Sequence, residues 1–107
     1  MSDFVTYLKD VFNDFGPIQS RKMFGGYGIY HDAIMFGLVA NSTLYLKADK
    51  HTAKDFMAKG LGPFEFKKGD KILSMSYYQA PEEIFDDPEA ATHWAEQAFE
   101  VARRVKK

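Results

Sequence analysis

Cysteine is absent from the 107-residue sequence, which excludes a disulfide framework, a thiolate zinc site and a cysteine nucleophile. Long apolar runs are absent as well. The longest, residues 33–40, is eight residues, far short of the roughly 20 that a membrane-spanning helix needs. Asp3, Lys9 and Asp10 break any signal-peptide pattern at the start, so the expected location is the cytoplasm, with no membrane partner. An excess of charge of one sign is lacking too. Fourteen Lys and Arg stand against fifteen Asp and Glu, for a net charge of −1, and no global field draws the protein to nucleic acid or lipid. No linker, repeat or low-complexity stretch divides the chain, and one domain over 1–107 is expected.

Aromatic residues are plentiful: ten Phe, six Tyr and one Trp in a composition that is 46% hydrophobic. A folded chain of this size hides about 60–70% of the surface its unfolded form exposes, so one core forms without covalent or metal staples. The near-zero net charge conceals an uneven distribution. Residues 1–19 carry Lys9 against Asp3, Asp10 and Asp14; residues 20–78 carry nine Lys and Arg against five acids; residues 79–107 carry four against seven. A basic middle therefore lies between acidic ends, an imbalance that ordinary solvated surfaces also show.

Phe4, Val5, Leu8, Val11, Phe12 and Phe15 recur at helical spacing, predicting an amphipathic first helix capped by Ser2 and stopped at Gly16-Pro17. From Ser20 to Lys47 the pattern becomes short runs of Ile, Val, Tyr and Phe broken at Gly25-Gly26, His31-Asp32 and Asn41-Ser42, which predicts an antiparallel meander. Asp49 is expected to cap a short helix that buries Ala53, Phe56 and Met57 and ends at Gly60. Phe64–Lys67 and Ile72–Tyr78 predict a hairpin with Gly69 in its turn, and Pro81–Phe85 a single helical turn. After Asp87-Pro88 a last helix presents Ala91, Trp94, Ala95, Ala98, Ala102 and Val105 on one side and ends in Arg103, Arg104, Lys106 and Lys107. The order helix-strands-helix-hairpin-helix implies an α+β fold, an antiparallel β-sheet with helices packed on one face, because parallel βαβ units require regular alternation.

Motifs of catalysis are missing. His31, His51 and His93 show no metal-ligand spacing and read as a turn residue, a first-turn helix residue and an exposed neighbour of Trp94. No Gly-x-Ser-x-Gly elbow occurs, and the acids of 82–89 read as helix-start electrostatics and a solvated loop. Gly25-Gly26-Tyr27-Gly28 lacks the Lys-Ser/Thr of a phosphate loop; glycines entering a strand serve more simply for a bulge or a close backbone approach. Residues 26–30 overlap an RNA-recognition signature in part, although Gly25, Ile29 and Asp32 replace its basic and aromatic positions. The remaining binding candidates are basic: Arg21 and Lys22, then Lys47, Lys50, Lys54, Lys67, Lys68 and Lys71, interleaved with Tyr45, Tyr77 and Tyr78. Lys mixed with aromatics suits a nucleic-acid or partner contact, although an ordinary solvated surface is the simpler reading. Spacing puts Lys50 and Lys54 on one helix face, and alternation puts Tyr77 and Tyr78 on opposite sheet faces.

The run Arg21-Lys22-Met23-Phe24-Gly25-Gly26-Tyr27-Gly28-Ile29-Tyr30, followed by Met35-Phe36, Leu44-Tyr45-Leu46-Lys47, Gly62-Pro63-Phe64 and Met75-Ser76-Tyr77-Tyr78 with Pro81, resembles the TfoX/Sxy N-terminal domain family over nearly the whole chain. The resemblance implies an α+β domain with no catalytic, metal or cofactor residues, and signature positions that are structural or interacting. It implies a regulatory role in expression of natural-competence genes, together with the cAMP receptor protein as partner; nucleic acid could be met directly or through that partner, and a homodimer is compatible. Such regulators usually carry a second, C-terminal domain, which a chain ending at Lys107 is not expected to contain. Many relatives have Asp-Gly where this chain has Asp32-Ala33. A type I′ turn with positive φ at Ala33 would cost about 1 kcal/mol or more, so a different loop or register is expected there.

Overall fold

The computed structural model describes residues 3–23 and 25–105; the expected cap at Ser2 lies outside them. Helix α1 spans Asp3–Val11, and its buried Val5 and Leu8 continue into Phe12, which closes the last turn by donating its N–H to the Leu8 carbonyl at 2.9 Å. Four strands follow in a meander, β1 Gln19–Met23, β2 Gly26–His31, β3 Ile34–Ala40 and β4 Thr43–Lys47. Helix α2, Ala53–Met57, precedes the hairpin β5 Pro63–Lys68 and β6 Lys71–Gln79; a 3₁₀ turn at Glu82–Phe85 leads to α3, Pro88–Val105. The six strands form one sheet in the order β1-β2-β3-β4-β6-β5, all neighbours antiparallel. The chain thus has the expected α+β class and element order, and β6 inserts between β4 and β5.

Cross-strand register fixes the faces. Tyr27, Val39 and Leu44 stand opposite one another, and all three belong to or pack against the core beneath the helices. Leu46 pairs with Tyr78 on the same side, where Tyr78 stacks on Phe56 of α2 with ring centroids 5.5 Å apart and Phe56 meets Trp94 of α3 at 4.9 Å. α1 closes the other end through Phe12 against Phe36 at 5.9 Å. Helices cover this face because every one of them offers a single apolar stripe. Two expected stripe members fall outside it: Met57 and Val105 are 54% and 64% exposed. Each sits in the last turn of its helix, while Val101, not anticipated, is buried.

The helix starts show capping chemistry. Asp49 Oδ1 accepts the N–H groups of His51 and Thr52 at 2.9 and 2.8 Å, and the Asp49 N–H donates to Thr52 Oγ1 at 3.0 Å. This is a reciprocal capping box one turn ahead of regular helix, and the Ala53 N–H donates to the Asp49 carbonyl at 2.9 Å, so the turn that holds Lys50 winds directly into α2. The Thr52 N–H, more than the other contacts, holds the Asp49 carboxyl below its ordinary value of 3.8. A carboxyl lowered by folding binds fewer protons folded than unfolded, so its contribution is present above the unfolded value and is lost as the pH falls through the folded one. Asp49→Asn is expected to flatten the acid limb of a stability-against-pH curve below about pH 4, measured by urea unfolding at stepped pH; an unchanged limb would remove Asp49 from the acid response. At α3, Asp87 Oδ1 accepts the Glu89 N–H at 3.0 Å and Pro88 takes the first helical position, as expected.

The turn at Asp32-Ala33 departs from expectation. His31 pairs with Ile34, leaving a two-residue loop in which both central residues have positive φ, 49° and 65°. That is the type I′ turn itself, whose twist matches the flanking strands closely enough to outweigh the strain at Ala33. A register shift does occur, but inside the ladder, where Ile29 pairs with Gly37 and Tyr30 with Met35, leaving Phe36 as the bulged residue. Asn41-Ser42 repeats the turn with φ of 51° and 56°. Ala33→Gly and Ser42→Gly are each expected to raise stability by about 0.5–1 kcal/mol, the relief of left-handed strain less the added freedom of the unfolded glycine. Thermal or urea unfolding of the two single variants measures this, and a loss of stability would contradict it.

Candidate functional site

The helices leave most of the opposite face of the sheet open, and the end of α3 reaches its margin. Arg21 pairs with Gly28, Gly28 with Leu38, Leu38 with Tyr45, and Tyr45 with Gln79, a continuous row across five strands. Alternation adds Met23, Tyr30, Met35, Lys47 and Tyr77 to the same side. Strand β5 contributes Phe64, whose ring lies 5.1 Å from that of Tyr45, and Phe66, stacked on Phe64 at 6.2 Å. Side chains spread sideways here to shelter one another. Leu38 is 1% and Tyr77 8% exposed, the latter beside the end of α3. A Cβ at Gly28 would meet Met23 Sδ at 2.7 Å and Met35 Sδ at 3.1 Å, so Gly28 is the gap into which both methionines fold.

Cations lie over the rings of this face. The Arg21 guanidinium sits 5.4 Å from the Tyr30 centroid and Lys47 Nζ 5.0 Å from that of Tyr77. Lys47 Nζ also donates to Ser76 Oγ at 2.6 Å. Burial lowers the Lys47 pKa, and burial followed by the proximity of Tyr30 pushes the Tyr77 hydroxyl up to about 12. Tyr30, Met35, Lys47 and Tyr77, with Ala102 and Val105 at the end of α3, line a depression of about 250 Å³.

The expected residues are thus divided. Lys47 faces the open side, while Lys50 and Lys54 are exposed on the helical side, because α2 packs on the Tyr78 face of β6. Lys67 and Lys71 are exposed on the β5–β6 hairpin, where Lys67 alternates with Phe66 and points to the other face. The side chain of Lys68 and the whole of Phe24 lie outside the described residues. The basic middle segment therefore does not form one patch. Of the glycine-rich run, Lys22 is exposed and Tyr27 packs under the helices; Gly25 has φ of 75° in the β1–β2 turn, and Gly26 is pressed against the Val39 carbonyl. Tyr77 and Tyr78 take opposite faces as expected, and Pro81 is buried ahead of the 3₁₀ turn.

His31 is more than a turn residue. Its ring lies 4.6 Å from Phe15 and 5.0 Å from Phe99, and Nδ1 meets the Pro17 carbonyl at 2.7 Å, pinning the α1–β1 connection to α3. Nothing local in the sequence signals this, since Phe15 and Phe99 reach His31 only through the fold. Glu83 gathers a second long-range set, accepting from Lys59 Nζ at 2.8 Å and from Trp94 Nε1 at 3.4 Å. Among the described residues no three His, Asp or Glu side chains are grouped to hold a metal ion, and no helix is long and apolar enough to cross a membrane.

An antiparallel sheet sheltered by helices on one side and carrying an aromatic, cationic surface on the other makes this an α+β protein. The chain belongs to the TfoX N-terminal domain family, whose model matches residues 10–102. It is similar to the DNA transformation protein TfoX1 of Aliivibrio fischeri, with 26% identity over 103 residues that make up 92% of this chain and 49% of that protein. It is also similar to the protein Sxy of Escherichia coli, with 23% identity over 91 residues, 85% of this chain and 44% of that one. The chain spans about half the length of the curated relatives it matches.

Proposed function

We propose that this protein is a non-enzymatic regulatory module that supports expression of competence-type genes through contact with a transcription factor, the cAMP receptor protein. The observation that carries the reading is membership of the TfoX N-terminal domain family over 10–102, alongside a relative named a DNA transformation protein. A sheet face that the helices leave largely open offers the area such a contact needs. The test is fluorescence anisotropy of a labelled duplex bearing a cAMP-receptor-protein site, titrated with this protein alone and with receptor plus cAMP. The expected result is an added anisotropy increase only when receptor and cAMP are present. Salt-sensitive binding of the duplex by the protein alone, or no effect on the receptor complex, would overturn it.

A second reading, direct contact with nucleic acid, draws on the cations held over aromatic rings on the open face and not on a single lysine patch.

A further inference from the structure

The open face of the sheet is one-sided in charge. Glu65 is the one carboxylate in the six strands, and its neighbours Phe64 and Phe66 put it on the opposite side. Asp32 and Asp70 stand in turns at the strand ends. The acids of α1, α2, the 3₁₀ turn and α3 ride on elements packed against the other face, Asp14, Asp86 and Asp87 lie in the connections next to them, and Asp49 caps the turn into α2 and faces Arg104 of α3. Among the described residues, what remains on the open face is positive or uncharged: Arg21 and Lys47 among half-exposed Tyr30, Tyr45, Phe64 and Phe66.

Charge complementarity and ring placement together select the ligand. Cations without competing carboxylates attract a polyanion, and flat rings on a flat sheet are reached only by planar groups that are not already stacked on one another. A duplex keeps its bases stacked and offers sugar and phosphate to such a surface. A single strand can lay bases on the rings while its phosphates meet the cations. The reach is adequate as well: Tyr30 in β2 and Phe64 in β5 are four strand steps apart, about 19 Å at about 4.8 Å per step. We infer that this face binds single-stranded nucleic acid, its bases stacked on Tyr30, Tyr45 and Phe64 and its phosphates held by Arg21 and Lys47. The inference goes beyond the regulatory reading and does not depend on it.

The test is anisotropy of a labelled oligothymidylate of about a dozen nucleotides, long enough for one such site, titrated without any receptor protein. The expected result is binding whose affinity falls with salt at a log–log slope of about −0.7 per phosphate contacted. Arg21→Glu, at an exposed position on an edge strand, and Tyr45→Ala are each expected to weaken binding about tenfold, while Lys54→Glu on the helical side leaves it unchanged. A melting temperature retained by Arg21→Glu keeps the result free of folding effects even where Tyr45→Ala is destabilised. Absence of binding, or binding that Arg21→Glu leaves intact, would overturn the inference. Equal or tighter binding of polyglutamate of similar length would do so as well, in favour of an acidic protein surface. Failure here leaves the receptor titration untouched, so the two readings fall separately.

Discussion

Phe36→Ala is expected to cost about 4 kcal/mol of folding stability, within the usual range for a buried Phe truncated to Ala. Phe36 is 0% exposed, and its ring meets Phe12 at 5.9 Å, Phe15 at 5.3 Å and Phe99 at 6.4 Å. These contacts join α1, its connection to β1, and α3 to one point on β3. The point exists because Phe36 is the bulged residue, unpaired with β2 and free to lean into the helices. Collapse around the vacancy would require moving both helices, so the cavity stays open and the cost stays near the full value. Small domains hold about 5–15 kcal/mol in total, so the variant would be close to unfolding at moderate temperature. Urea unfolding followed by the fluorescence of Trp94, the one tryptophan and 5% exposed, measures it. A loss under about 1 kcal/mol would mean that this ring cluster is not packed as described.

Gly26→Ala is expected to cost about 3 kcal/mol, the upper end for overpacking a tight site. A Cβ there would fall inside the contact shell of the Val39 carbonyl oxygen, with the Val39 carbonyl carbon at 3.0 Å and Ala40 Cα at 3.3 Å. All three are backbone of the neighbouring strand, so β2 and β3 must separate. Gly28→Ala provides the contrast. Its Cβ would meet Met23 Sδ at 2.7 Å and Tyr30 Cε1 at 3.0 Å; thioethers swing aside, and the expected cost is about 1 kcal/mol. Parallel urea curves for the two variants decide the matter, and equal losses would show that backbone crowding at Gly26 is relieved elsewhere. The difference also explains why two glycines of one short motif do different work, one admitting a strand and the other seating side chains.

Much of the fold was legible in the sequence because its signals are local. The stripe through Leu8 and Phe12 needs only helical spacing, the stops at Gly16-Pro17 and Gly60 only backbone preferences, and the cap at Asp87 only a carboxylate ahead of Pro88. The candidate site was less legible. The lysines of the middle segment are contiguous in composition, yet Lys47 and Lys54 end on opposite sides of the sheet. Period-two alternation identifies Tyr45 with Lys47, and Phe64 with Phe66, as sharing faces within their own strands. It does not say that the two pairs share the same face, since that requires the pairing of β4 with β6 and of β6 with β5.

The type I′ turn at Asp32-Ala33 failed the local rule for a related reason. Propensity weighs Ala33 alone, whereas the turn is held by the ladder from His31 and Ile34 inward and by the His31 ring lodged between Phe15 and Phe99. By itself the sequence determined the elements, their order, the α+β class and the family, because spacing, capping and turn chemistry act over a few residues. Only the tertiary structure decided the order β4-β6-β5, the bulge that turns Phe36 inward, and the gathering of Arg21, Lys47 and five aromatic rings on a face where the described strands place no carboxylate. Those depend on contacts between distant segments, and their energies are set by which surfaces meet and not by the residues taken one at a time.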